Sequence, residues 1–234
     1  MFRFKQFSVD QSGCAMKINT DGVLLGAMAN GLMPETILDI GTGTGVIALM
    51  MAQRFPHASI DAVELDTPAA ETAGKNFSRS AFSRRLTLYP VSFEAYFTIH
   101  PDRVYDLIIS NPPFYINSLQ ANGYQKNIAK HADGSFFEQL IKTVAQHLTP
   151  TGQCWLVLPE PTAALVKLLA QQYHLRKIHT VYIHSFTHSN AHRQIVVLSP
   201  TETKIVDRRF VIYDEPKVYS SQYQECLKDF FTIF

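Results

Sequence analysis

From Thr36 onward, short runs of β-branched and aliphatic residues alternate with longer stretches whose apolar positions recur at helical spacing, the pattern of βαβ units feeding a parallel sheet. Strands are expected at residues 36–40, 59–64, 86–89, 106–110, 153–159, 178–184 and 194–198. Runs such as Ile195-Val196-Val197-Leu198 carry no polar alternation, as strands covered on both faces do. Helical periodicity covers residues 46–55, 67–78, 135–147 and 160–173, and Phe55-Pro56 and Thr149-Pro150-Thr151-Gly152 punctuate it. Only residues 185–193 separate the last two strands, so these are expected to form an antiparallel hairpin at one edge. The pattern predicts an α/β, Rossmann-like fold: a seven-stranded, mostly parallel sheet with a C-terminal antiparallel hairpin and helices on both faces. Residues 36–199 form the core of a single domain, with extensions at 1–35 and 200–234 that lie outside the alternation.

Composition narrows the setting. A chain of 234 residues suits one domain with extensions, and 46% hydrophobic with 18% charged residues is the balance of a soluble globular protein. No apolar run approaches the roughly 20 residues that a membrane helix needs. The opening Met1-Phe2-Arg3-Phe4-Lys5-Gln6-Phe7 alternates aromatic with basic or polar residues and lacks the form of a secretory signal, so a cytoplasmic location is expected. Cys14, Cys154 and Cys226 lie too far apart in sequence for a disulfide framework or a metal knuckle, in keeping with a reducing compartment. The formal charge is only +1, so a nucleic-acid partner would have to be met by a local basic patch. Arg3, Lys5 and Lys17 in the first extension and Lys204, Arg208, Arg209 and Lys217 in the second are candidates, with Arg84, Arg85, Arg176 and Lys177. Oligomeric state is left open, a monomer being slightly favoured.

The first chemical signal is Ile37-Leu38-Asp39-Ile40-Gly41-Thr42-Gly43-Thr44-Gly45, a buried strand running into a glycine turn and then a helix. Glycines admit a ligand close to the peptide, and the helix start beyond offers free N–H donors to a polar or anionic group. Twenty-one residues after Gly43, at the end of the second strand, stands Glu64, placed to accept both hydroxyls of a ribose. A dinucleotide fingerprint wants its third glycine where this chain has Val46; the Gly41, Gly43, Gly45 spacing is that of S-adenosylmethionine loops. The bland alternative is a tight turn alone, and Asp39 and Glu64 at the proper strand ends argue against it.

The second signal is Tyr105-Asp106-Leu107-Ile108-Ile109-Ser110-Asn111-Pro112-Pro113-Phe114, a fourth strand ending in two prolines at the carboxyl edge, where open α/β sheets bind ligands. An amino group conjugated to a ring or carbonyl is a poor nucleophile. A site that accepts hydrogen bonds from both of its N–H groups frees the lone pair, and Asn111 Oδ1 with the Pro112 carbonyl can do so. Two prolines stiffen the loop that holds these acceptors, and Phe114 can stack on a flat substrate. Methyl transfer from a sulfonium is an in-line displacement, so alignment and preorganised dipoles carry it and no metal ion is expected.

Together these motifs resemble those of the class I amino-methyltransferases. The segments Phe4-Lys5-Gln6-Phe7-Ser8-Val9, Cys14-Ala15-Met16-Lys17, Thr20-Asp21-Gly22-Val23-Leu24-Leu25-Gly26, Lys130-His131-Ala132-Asp133 and the tail from Asp207 to Phe231 resemble those of the bacterial tRNA1(Val) adenine-N6 methyltransferases. The likeness spans nearly the whole chain. It implies N6-methylation of the adenosine 3′ of the anticodon in a valine tRNA, with S-adenosylmethionine as cofactor. It also implies cofactor contacts from Thr20, Asp21, Asp39, Gly41, Gly43, Gly45, Glu64, Leu65, Ser92, Phe93 and Asn111. The acidic residue often found at the adenine contact is replaced here by Ser92. Asn111, Pro112, Pro113 and Phe114 would carry catalysis; Phe114, Tyr115, His131, Arg208 and Arg209 would meet the anticodon stem-loop. Bases in a loop unstack cheaply, so Phe114 and Tyr115 are the expected stacking platform.

Other readings compete less well. His184, His188 and His192 recur every four residues, but across a hairpin loop that does not put them on one face, and no Cys or carboxylate cluster joins them. A glutamine methyltransferase would end its loop in Tyr and bring a helical amino-terminal domain. A silent cofactor or RNA binder has no need of Asn111-Pro112-Pro113. A nucleotide-binding dehydrogenase is the remaining alternative.

Overall fold

The computed structural model describes residues 1–12, 14, 16–31, 33–113 and 123–234, with backbone alone at 123–133. A small antiparallel hairpin, β1 (Phe2–Arg3) and β2 (Ser8–Val9), leads to helix α1 (Thr20–Met28). The alternating core follows: β3 (Thr36–Ile40), α2 (Val46–Arg54), β4 (Ser59–Val63), α3 (Thr67–Arg79), β5 (Leu86–Tyr89), α4 (Phe93–Ile99), β6 (Tyr105–Ser110), α5 (Gly123–His147), β7 (Leu148–Leu158) and α6 (Glu160–Gln172). The chain closes with β8 (Arg176–Phe186), β9 (Ala191–Ser199), β10 (Val206–Glu215), β11 (Val218–Tyr219) and α7 (Ser221–Leu227). Among the described residues no helix is long and apolar enough to cross a membrane.

Among the described residues the main sheet has nine strands in the order β11-β10-β8-β9-β7-β6-β3-β4-β5, two more than the hydrophobic pattern predicts. β7, β6, β3, β4 and β5 are mutually parallel, and β8 and β9 form the expected antiparallel hairpin. That hairpin is not an edge, because β10 pairs parallel with β8, and β11 pairs antiparallel with β10. The carboxyl extension therefore belongs to the sheet. Its alternation is hidden by charge: Phe210 and Ile212 are buried, while Asp207, Arg208 and Arg209 stay exposed, a composition suited to a strand near an edge.

Successive strand residues enter opposite layers. Ile37, Leu107 and Ile109 pack with Leu24, Leu49, Met51 and Leu227 on the α1, α2 and α7 side; Leu38 and Ile108 pack with Ile141, Val144 and Val166 on the α5 and α6 side. Helix α1 escapes the sequence pattern because seven of its nine residues are buried, leaving no polar stripe to mark a period. Its start is legible in hindsight, since Asn19 Oδ1 accepts the Gly22 N–H at 2.8 Å, an N-cap. Residues 149–152, expected as a turn, continue β7 instead. Gly152 is needed there, because a Cβ would lie 2.9 Å from the Tyr105 carbonyl oxygen.

Candidate active site

The turn after β3 is built from backbone. Gly41, Gly43 and Gly45 all hold positive φ, at 71°, 58° and 81°, and the Gly41 and Thr42 N–H groups donate to the Val63 carbonyl at 2.9 and 3.1 Å. Beneath the turn, Asp39 is fully buried. Its Oδ2 accepts from Thr42 Oγ1 at 2.6 Å and from the Ala48 N–H at 3.1 Å. That carboxyl serves as the cap for α2, whose own N-cap position is Gly45, without a side chain. Burial outweighs these two hydrogen bonds and pushes the Asp39 carboxyl up to about 7, while its Oδ1 has no partner among the described residues. At Gly45 a Cβ would stand 2.5 Å from Phe77 Cε1; at Gly41 and Gly43 it would meet nothing within 4 Å.

Glu64 follows β4 and reaches back to this turn. Its Oε2 accepts the Gly43 N–H at 2.8 Å and its Oε1 the Asp66 N–H at 2.8 Å. The carboxylate faces a cavity of about 560 Å³ that Gly41, Leu65, Ser92, Phe93, Pro112 and Pro113 also line. Ser92 caps α4 through the Ala95 N–H, Phe93 is buried and packs edge-on against Phe136, and Leu65 is 72% exposed at the rim. The glycine turn after β3 and the proline turn after β6 thus open into one cavity, of a size that suits a small-molecule ligand.

The ends of β3 and β6 are clipped together, since Ser110 Oγ donates to the Ile40 carbonyl at 2.7 Å. The next residue, Asn111, has a buried Oδ1 without a hydrogen-bond partner among the described residues. Its Nδ2 lies 3.3 Å from the point where Gly22 would carry a Cβ, so α1 bears directly on this side chain. Pro112 is buried and Pro113 exposed. An amide oxygen desolvated without a donor costs free energy that a bound N–H recovers. Phe114 and Tyr115 lie outside the described residues, as does the side chain of His131.

The remaining candidates are spread wider. Asp21 pairs with Arg193 at 2.8 Å, tying the start of α1 to β9; the Arg193 pairing has no sequence signal. Thr20 lines a different cavity, on the outer flank of α1. Arg208 stands near Ala27 and Met28 at the opposite end of that helix, and Arg209 donates to the Thr187 carbonyl. Arg85 is not free for phosphate: its guanidinium donates to the Ala52, Phe55 and Ala58 carbonyls and closes the end of α2. His184 Nδ1 donates to the Ser189 carbonyl and the His188 ring stacks on Phe186, so two of the three spaced histidines are occupied locally.

Comparison with known proteins agrees with this geometry. Residues 19–181 match the family model described as methyltransferase small domain. A tRNA1(Val) (adenine(37)-N6)-methyltransferase of Pedobacter heparinus is 47% identical over 233 residues, covering 100% of this chain and 98% of its own. The Porphyromonas gingivalis W83 protein of the same name is 36% identical, covering 99% and 95%. The fold matches that of a predicted O-methyltransferase from Agrobacterium tumefaciens, with a TM-score of 0.70 at 18% identity, over 90% of this chain and 96% of that one. The chain belongs to the methyltransferase small domain family and, within it, to the family of the tRNA1(Val) (adenine(37)-N6)-methyltransferases.

Proposed function

We propose that this chain methylates N6 of the adenosine just 3′ of the anticodon in a valine tRNA, in the cytoplasm, with S-adenosylmethionine as donor. The observation that carries the proposal is the buried Asn111 Oδ1, unpartnered among the described residues, at the start of a proline turn that shares its cavity with the glycine turn and Glu64. The names of the full-length relatives support the same substrate.

The residues fit the cofactor. Open space over Gly41 and Gly43 admits a ligand against the peptide, and the Glu64 carboxylate is suited to a ribose diol once it exchanges the Gly43 N–H for hydroxyl donors. Ser92 and Phe93 would flank the adenine, and Leu65 would cover it. When bound, S-adenosylmethionine supplies an electrophilic methyl on a sulfonium. The chain's own part is to hold the amine: Asn111 Oδ1 and the Pro112 carbonyl accept its two N–H groups, draw its lone pair out of conjugation and fix its line of approach. Asp39 keeps the glycine turn and α2 in register with that line.

Mass analysis of nucleosides from tRNA incubated with enzyme and S-adenosylmethionine tests the proposal. One N6-methyladenosine, mapped 3′ of the valine anticodon, is expected. Asn111→Ala should lower kcat on the order of 10²–10³-fold while cofactor affinity falls far less. Full turnover in Asn111→Ala, or methylation of a different nucleoside, rejects it.

A further inference from the structure

The cavity on the outer flank of α1 measures about 620 Å³, and among the described methyl-transfer residues only Thr20 lines it. Its walls come from separate stretches of chain: Phe2 and Arg3 of the hairpin, Asn19 at the cap of α1, Tyr219 and Tyr223 near the end, and Phe231 of the tail. Phe2 and Phe231 are each half-buried and line the cavity, so ring surface is left open there, whereas the faces of Tyr219 are taken by Tyr213 and Tyr223. Their packing is set: Tyr219 stacks on Tyr223 with centroids 4.6 Å apart, and Phe2 lies 5.7 Å from Phe231. Arg3 is exposed at the same wall and has neither an ion pair nor a side-chain hydrogen bond among the described residues. Asn19 ties this cavity to the amine-gripping residue. Its Oδ1 and Asn111 Nδ2 lie 3.5 and 3.3 Å from the same point above Gly22.

Open aromatic faces with one available cation, next to the site that holds the reacting base, match the chemistry of a single nucleotide: a π surface and a phosphate. A purely apolar partner has no use for Arg3, and an acidic peptide none for open ring faces. We infer that this pocket takes the base of a nucleotide adjoining the methylated adenosine, stacked against Phe2 or Phe231, with its phosphate at Arg3. The inference rests on the RNA-methylation reading above. Both bases can leave the stack because a loop does not hold them in a duplex.

The test uses the full chain and two anticodon stem-loop RNAs, one with 2-aminopurine 5′ and one with 2-aminopurine 3′ of the target adenosine. One of the two probes should lose most of its fluorescence on binding, as stacked 2-aminopurine does. Phe231→Leu and Arg3→Ala, tested separately, should each restore brightness or weaken RNA binding about tenfold, with S-adenosylmethionine affinity unchanged as the check on folding. If both probes stay bright on the bound parent enzyme, or if both variants keep the quench and the affinity, the inference is overturned. An enzyme that methylates the tRNA yet leaves both probes bright rejects the pocket and spares the function. Absence of methylation rejects the function and this inference with it.

Discussion

The cavity at the carboxyl edge of the sheet and the one beside the amino end of α1 differ in what builds them. The one at Glu64 and Pro112 gathers residues at the carboxyl ends of β3, β4 and β6, with Phe93 of α4 and Phe136 of α5 beside them, so the register of the parallel sheet sets much of its shape. The one at Phe2 and Phe231 is made of side chains from opposite ends of the chain. It exists because the termini clasp each other: Lys5 Nζ donates to the Phe234 carbonyl at 2.9 Å, Phe4 bridges Phe231, and Gln53 Nε2 donates to the Asp229 carbonyl at 2.8 Å. A pocket made by register is fixed once the sheet folds, whereas one made by docked termini is only as firm as the docking.

The sharpest way to break the first cavity and spare the second is Gly45→Ala. The residue has φ 81°, and the new Cβ would sit 2.5 Å from Phe77 Cε1, so left-handed strain and overpacking add. A loss of about 3 kcal/mol is expected, a fall in Tm of roughly 10 °C, with cofactor affinity reduced on the order of 100-fold. Gly41→Ala is the control. With nothing within 4 Å it should cost about 1 kcal/mol of stability, yet weaken cofactor binding by more than that, because the methyl enters ligand space. Thermal unfolding with and without S-adenosylmethionine separates the two, and equal melting of Gly45→Ala and its parent would contradict this account.

The same contrast explains what was legible in the sequence. The glycine turn, Glu64 and Asn111-Pro112-Pro113 each sit in a short contiguous motif after a strong apolar run, so their positions follow from strand ends. The seven core strands follow for the same reason. The parts that escaped lack a period or a neighbour: α1 is buried all round, β10 hides its alternation under Arg208 and Arg209, and Arg193 meets Asp21 only through tertiary packing. The aromatic cavity was illegible for a further reason. Phe2, Tyr219 and Phe231 are unremarkable apart and form a wall only when the termini meet.

A smaller effect sharpens the comparison through pH. The Asp39 carboxyl, raised to about 7, holds its proton in the folded protein up to near neutrality, whereas unfolded it ionises near 4. Because the folded state binds the extra proton, stability should fall as pH rises from about 4 to 7 and level off above. A sulfonium and an ammonium brought to the glycine turn favour the ionised form, so cofactor affinity should rise with pH, by about tenfold between pH 6 and pH 8. Titration at those two values checks this; Asp39→Asn should lose most of the pH dependence, and an unchanged dependence in that variant would assign it to another group. Among the described residues the aromatic cavity has no such buried carboxyl in its wall, so RNA stacking there should vary little over the same range.

The smallest effect concerns Arg208. It lies near Ala27 and Met28, and the nine residues of α1 span about 13 Å, so it sits a full helix length from the end that meets Asn111. Its neighbours are already engaged: Arg176 pairs with Glu202 at 3.5 Å, Lys177 with Asp207 at 2.9 Å, and Arg209 donates to the Thr187 carbonyl. Arg208 therefore suits a phosphate of the tRNA body and not the reacting base. Arg208→Ala should weaken tRNA binding a few-fold at low salt and reduce the slope of log affinity against log salt by about 1. At saturating tRNA kcat should be that of the parent, because the contact is made equally before and during transfer. Arg209→Ala should do less, since its guanidinium must first give up the Thr187 carbonyl to reach a phosphate. A fall in kcat for Arg208→Ala would instead mean that the far end of α1 communicates with Asn111, and that the two ends of this helix act as one site.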